Sequence, residues 1–210
     1  MARPAPAPVA LNRDALIVIG ASTGGTEALK LVLSHMPAGS PPILVVQHIP
    51  PVFSRALAER LNKGCALEVK EAADGDAVIP GQVLIAPGDF HMTYRTNGGR
   101  RAVAVVSGPR IGYQRPSVDV LFESVVSSKA KRVIGVLLTG MGTDGANGLL
   151  SLKRTGAYTI AQNEATCVVY GMPREAARLG AASAILPLED IAQAIIEAAS
   201  HRKLEKTQAC

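Results

Sequence analysis

Apolar residues in this chain fall into short unbroken runs, and the runs alternate with stretches whose apolar positions recur every three or four residues. Short apolar runs bounded by turn residues predict strands buried on both faces, and the intervening period predicts helices covering them. On this reading strands lie over 14–19, 42–48, 67–72, 83–87, 132–138, 157–161 and 184–186. Helices lie over 25–36, 53–63 with Pro50-Pro51 opening it, 117–130, 146–154, 174–179 and from 188 onward, punctuated by Pro37, Gly64 and Pro116. Alternation of strand and helix predicts an α/β fold, a doubly wound and mostly parallel sheet with flanking helices. Residues 91–106 break the rhythm. Two strand-like segments around Asn97-Gly98-Gly99 predict an antiparallel hairpin inserted in the α/β order, where it is expected to floor a pocket.

Composition narrows the class. A chain of 210 residues with 48% hydrophobic and 19% charged residues can bury one substantial core, placed here over residues 14–200. With aromatics at only 3%, that core must be aliphatic, which suits buried parallel strands. Residues 1–13, rich in Pro and Ala, read as a flexible leader, and 201–210 as a disordered tail. No apolar run approaches the ~20 residues of a membrane span, and the leader lacks a signal-peptide pattern, so a cytoplasmic protein without membrane insertion is expected. The net charge of +5 is dispersed rather than clustered, which disfavours nucleic acid and leaves an acidic protein surface as the partner class it suits. Cys65, Cys167 and Cys210 have no C-x-x-C spacing, so neither a disulfide framework nor a metal site is expected.

The segment 15–30 carries the most chemistry. An apolar strand passes through Gly20, Ser22 and Gly24 into a helix, satisfying the G-x-S-x-G pattern that lifts a nucleophilic serine clear of a sheet. A glycine-rich turn of this kind also serves phosphate binding, but the spacing misses G-x-G-x-x-G and no Gly-Lys-Ser/Thr follows. His48 and Asp144 each follow another apolar strand at its carboxyl end, the edge where parallel sheets gather reacting groups. A serine hydroxyl needs an imidazole to take its proton, and the imidazole needs a carboxylate to orient it. Each residue also has a plainer reading: Ser22 and Asp144 as helix caps, and His48 as a strand-end histidine bonded to a carbonyl. His35, His91 and His201 read as surface or structural histidines.

Ile19-Gly-Ala-Ser-Thr-Gly-Gly-Thr26, Gln47-His48, Leu138-Thr-Gly-Met-Gly-Thr-Asp-Gly145 and Ala161-Gln-Asn-Glu-Ala165 together resemble the catalytic domain of bacterial chemotaxis protein-glutamate methylesterases, over about residues 14–200. The resemblance implies Ser22 as nucleophile, His48 as base and Asp144 as orienting acid, with neither metal nor organic cofactor. Thr23 and Met141 match positions beside the reacting centre, Met141 through its backbone N–H, although helix-start bonding and pocket packing are the alternatives for the two. It further implies hydrolysis of glutamate methyl esters on methyl-accepting chemotaxis receptors, releasing methanol, and deamidation of receptor glutamines. A catalytically silent receptor-binding module of the same fold and a nucleotide-binding α/β domain are the competing readings. Thr143 stands where relatives often carry Asn, and the receiver domain usual in the family is not found ahead of the first strand.

Overall fold

The structure, a computed structural model, describes residues 11–200. The chain runs β1 (Leu16–Ala21), α1 (Gly25–Ser34), β2 (Ile43–Gln47), α2 (Pro51–Asn62), β3 (Glu68–Glu71), β4 (Gln82–Ile85), β5 (His91–Asn97) and β6 (Arg100–Val106). It continues through α3 (Val118–Ser127), β7 (Val133–Leu137), α4 (Ala146–Arg154), β8 (Tyr158–Gln162), α5 (Met172–Arg178), β9 (Ala184–Leu186) and α6 (Leu188–Ala199). Seven strands form one sheet in the order β3-β4-β2-β1-β7-β8-β9, every pair parallel, while β5 and β6 form a separate antiparallel hairpin.

Side-chain alternation divides the core in two. Along β1, Ile17, Ile19 and Ala21 face α1, α2 and α6, whereas Leu16 and Val18 face α3, α4, α5 and the hairpin. Both faces are covered, which is why the central strands read as continuous apolar runs. Beyond β2 the chain builds the β4 and β3 side, then crosses to β7 on the opposite flank of β1. That reversal puts the topological switch point at the carboxyl end of β1.

The first strand begins and ends two residues later than the expected 14–19, because Asn12 Oδ1 accepts the Asp14 N–H in a turn and the ladder to β2 continues through Ala21. Ser22 therefore follows the strand directly. The second helix opens at Pro51, within the expected Pro50-Pro51 start, as a proline in the first turn permits. The expected 117–130 helix begins at Val118, since Ser117 is its cap, and ends at Ser127. Residues 1–10 of the expected leader and the whole 201–210 tail lie outside the described residues. The leader's last part is tied to α6: Leu11 bridges Ser200 and the Asn12 N–H donates to Ala199 O.

Gly145 holds φ at +89°, and a Cβ there would run into Val118 and Leu137, whereas Gly98 in the hairpin turn holds φ at +55° with nothing within 4 Å. Gly145→Ala is therefore expected to cost ~2 kcal/mol or more, combining strain and overpacking, and Gly98→Ala ~1 kcal/mol from strain alone. Denaturant unfolding of the two variants measures the difference, and equal losses would remove the packing contribution.

Candidate active site at the carboxyl edge of the sheet

The parallel register builds the site. Ala21 pairs with Gln47, so the next residues, Ser22 and His48, leave adjacent strands side by side, and on the other flank the Ser22 N–H donates to Thr139 O at 3.0 Å. Ser22 is partly exposed at the head of α1, with Gly24 in the left-handed region at φ +81° completing the turn. Gly140 packs against Ser22 so closely that a Cβ would meet the serine Cβ at 2.6 Å.

Two buried side chains set the orientation of the turn. Gln47 Nε2 donates to Ser22 O at 2.9 Å, and Thr139 Oγ1 donates to Thr23 O at 3.0 Å. In a trans peptide the N–H points opposite to the preceding carbonyl. Drawing the Ser22 carbonyl inward thus turns the Thr23 N–H the other way. The same logic applies across the crevice, where Gly140 O accepts the N–H groups of Gly171 and Met172, leaving the Met141 N–H facing away from them. Among the described residues neither the Thr23 nor the Met141 N–H has a hydrogen-bond partner. Both residues are exposed, Met141 at 73%.

His48 Nε2 donates to Asp144 Oδ2 at 2.7 Å, with the two side chains only 6% and 8% exposed. The other ring nitrogen, Nδ1, is buried without a partner. No hydrogen bond joins Ser22 Oγ to His48; of the ring's two expected partners only the aspartate is bonded. Asp144 is seated on the N-terminus of α3. Its Oδ1 accepts from Ser117 Oγ at 2.8 Å and the Asp119 N–H at 3.1 Å, and its Oδ2 also accepts the Val118 N–H at 2.7 Å. Burial opposes ionisation of Asp144, but the donors from His48, Val118, Ser117 and Asp119 outweigh it and hold the carboxyl below the ordinary aspartate range. Asp119, one turn away, goes the other way: burial and the nearby Asp144 raise it, against the Gly148 N–H that it accepts.

Three partners of this site had no role assigned to them from the motifs. Ser117 is fully buried, caps α3 and donates to Asp144. His91, read as surface or structural, is buried at the foot of β5, where Nδ1 accepts the Ser117 N–H at 3.2 Å and Nε2 donates to Pro109 O at 2.9 Å. Gln47 stands in the Gln47-His48 motif, but the motif gives it no role of its own. A serine before a first helical turn signals a cap, but its second bond across the chain has no local sequence signal. Thr143 is exposed and offers its carbonyl to the Ala146 N–H, so the residue before Asp144 takes no part in holding the carboxylate. The strands of the hairpin do not floor the cleft; its foot and the segment following it do the supporting. His35 is exposed at the C-terminal cap of α1, Cys65 and Cys167 are partly buried with raised pKa values, Cys167 pushed up to about 11 by burial, and His201 and Cys210 lie outside the described residues.

A cleft of about 370 Å³ abuts His48, lined also by Pro50, Pro51, Asp89, Arg110 and Arg115. Among the described residues no three His, Cys, Asp or Glu side chains are grouped to hold a metal, and no helix is long and apolar enough to cross a membrane.

A doubly wound sheet with a serine turn at its switch point, next to a buried His–Asp pair, defines an α/β protein with a hydrolase-like site. The family described as CheB methylesterase matches residues 17–195, and the chain belongs to that family. A protein-glutamate methylesterase/protein-glutamine glutaminase of Syntrophus aciditrophicus is 56% identical over 188 residues, covering 90% of this chain and 55% of the relative. A Pseudomonas aeruginosa protein of the same description is 51% identical over 192 residues, covering 91% and 55%. The chain spans about half the length of these relatives. The Thermotoga maritima CheB methylesterase catalytic domain superposes with a TM-score of 0.83 at 41% identity, over 87% of this chain and 97% of that one.

Because the folded Asp144 carboxyl ionises more readily than the unfolded one, it adds stability above the ordinary aspartate value of about 4 that is lost as pH falls through its lower folded value. Asp144→Asn removes this contribution. Its deficit against the unsubstituted chain, about 1–3 kcal/mol at pH 7 for lost charge-assisted bonds, is expected to shrink below about pH 4. Denaturant unfolding at both pH values tests this, and a pH-independent gap would contradict it.

Proposed function

We propose that this domain is a serine esterase that hydrolyses the γ-methyl esters of glutamate side chains on chemoreceptors, and by the same route deamidates receptor glutamines. The observation that carries the reading is the buried His48–Asp144 pair, whose unpartnered Nδ1 belongs to the residue beside Ser22. Asp144, held ionised, fixes the Nε2–H tautomer, so Nδ1 is the nitrogen that takes the serine proton as Oγ attacks the ester carbonyl. The developing oxyanion is met by the N–H groups of Thr23 and Met141, which carry no competing bond. Collapse of the tetrahedral species expels methanol, protonated by His48; water, deprotonated by the same ring, then releases the glutamate and frees Ser22. With glutamine the leaving group is ammonia.

The exposed mouth of the site suits an ester projecting from a protein surface. Such a receptor is reached from the cytoplasm, which is the location this reading assigns. Against a silent binding module stands the complete set of groups for acyl transfer; against a nucleotide domain, the absence of a lysine or ribose-binding carboxylate in the serine turn and after β2.

Methanol release from methylated receptor membranes tests the proposal. Ser22→Ala is expected to abolish it with the fold intact, and His48→Ala to be nearly as damaging, with the double variant no worse than either because the pair acts as a unit. Asp144→Asn is expected to lower kcat by up to ~10⁴. Undiminished activity of Ser22→Ala would end the esterase reading.

Ser117 acts through Asp144. Ser117→Ala is expected to lower kcat roughly tenfold by removing a bond to a charged group, and Ser117→Thr, which retains the hydroxyl, to recover most of it. Loss of stability without loss of kcat would reduce Ser117 to a helix cap.

A further inference from the structure

The cleft beside His48 holds charges that the hydrolytic chemistry does not use. Asp89 Oδ1 accepts from Arg115 Nε at 3.1 Å, Arg115 Nη2 at 2.7 Å and Arg110 Nη2 at 3.1 Å, and Arg115 Nη1 also donates to Gly108 O. The hydrogen bonds and charge of Arg115, helped by Arg110, hold the Asp89 carboxyl below its ordinary range. Two guanidinium groups therefore face one carboxylate, leaving one positive charge in the cleft.

The two arginines are not equivalent. Arg115 is mostly covered and spends its donors on Asp89 and Gly108, so it is part of the wall. Arg110 is 57% exposed, gives a single N–H to Asp89, and its remaining donors have no partner among the described residues. The wall is preset. Asp89 is held at φ +67°, a left-handed conformation unusual for a non-glycine residue, and Gly88 lies so close to the Pro51 backbone that no Cβ fits. Exposed apolar residues lie one or two positions along the chain from its lining: Val52 and Phe53 after Pro51, Phe90 after Asp89, Ile111 and Tyr113 between Arg110 and Gln114. A cationic cleft whose lining segments also carry exposed apolar residues matches a polypeptide segment with an acidic side chain and an apolar face, rather than a small free anion.

We propose that this cleft is a carboxylate subsite, in which Arg110 binds an unmodified glutamate or aspartate side chain near the ester in the same polypeptide substrate. The inference rests on the esterase reading for what brings the segment to the site, but binding alone can test it. The subsite selects esters that have an acidic neighbour, and it acts on recognition rather than on bond breaking, because Arg110 is bonded to neither His48 nor Asp144.

The test uses two helical peptides with one γ-methyl glutamate, differing only in whether a nearby residue, adjacent or one turn away, is Glu or Gln. Their affinities are measured by fluorescence anisotropy for the full chain bearing Ser22→Ala, so that no turnover intervenes, with and without Arg110→Ala. The Glu peptide is expected to bind roughly five- to tenfold more tightly, a difference abolished by Arg110→Ala, partly kept by Arg110→Lys and weakened by salt. With the serine intact, Arg110→Ala is expected to raise KM for the Glu peptide and leave kcat unchanged. Equal affinity for the two peptides, or an equal loss on both in Arg110→Ala, would overturn the subsite. Absence of methanol release alongside preserved discrimination would instead overturn the esterase reading and leave the subsite standing.

Discussion

The carboxylate of Asp144 resting on the N-terminus of α3 is the contact through which the rest of the site is held. Two backbone N–H groups at the start of that helix, the capping hydroxyl of Ser117 and the His48 ring converge on one buried side chain. Burial alone would favour the neutral acid; four donors and the helix dipole reverse that balance. Gly145, left-handed immediately after Asp144, brings α4 against Val118, while Gly148 packs on Phe122 and donates to Asp119. The helix that fixes the acid is thus itself fixed by the loop that carries the acid.

The serine turn follows a different principle, in which side chains from neighbouring strands fix peptide planes rather than side-chain rotamers. Gln47 comes from β2 and Thr139 from just beyond β7, the two flanks of β1. Thr139 also donates its N–H to Gln162 from β8, and Gln162 in turn holds Thr166. The site is consequently spread over four adjacent strands of the sheet, and its geometry is a property of strand register more than of any loop.

The architecture was legible because its signals are local and repeated. Apolar runs at 15–19, 43–46 and 133–138 lack polar positions because helices cover both faces, and the Asn97-Gly98-Gly99 turn marked the hairpin. Ser22, His48 and Asp144 were legible for a related reason: each ends or follows a strand, and parallel strands deliver their carboxyl ends to one edge. What stayed hidden were contacts between residues distant in sequence. Ser117 and Asp144 are 27 residues apart, and His91 and Ser117 are 26 apart, with no periodicity linking them. Strand and helix ends also slipped, as at β1, where an N-terminal turn displaced the strand by two residues. The charged cleft is assembled from three loops distant in sequence, and nothing local in the sequence links Asp89 to Arg110 and Arg115.

The hairpin has two ends of opposite character. Its foot is buried, with His91 bonded both to the cap of α3 and to the segment that carries Arg110 and Arg115. Its tip at Gly98 and Gly99 is exposed, with open space around both glycines. Chain inserted at an exposed tip of small residues disturbs little, whereas one residue added near the foot shifts the strand register. The tip therefore offers an attachment point for a reporter or a fused domain, held to the carboxyl edge of the sheet by a short rigid ribbon.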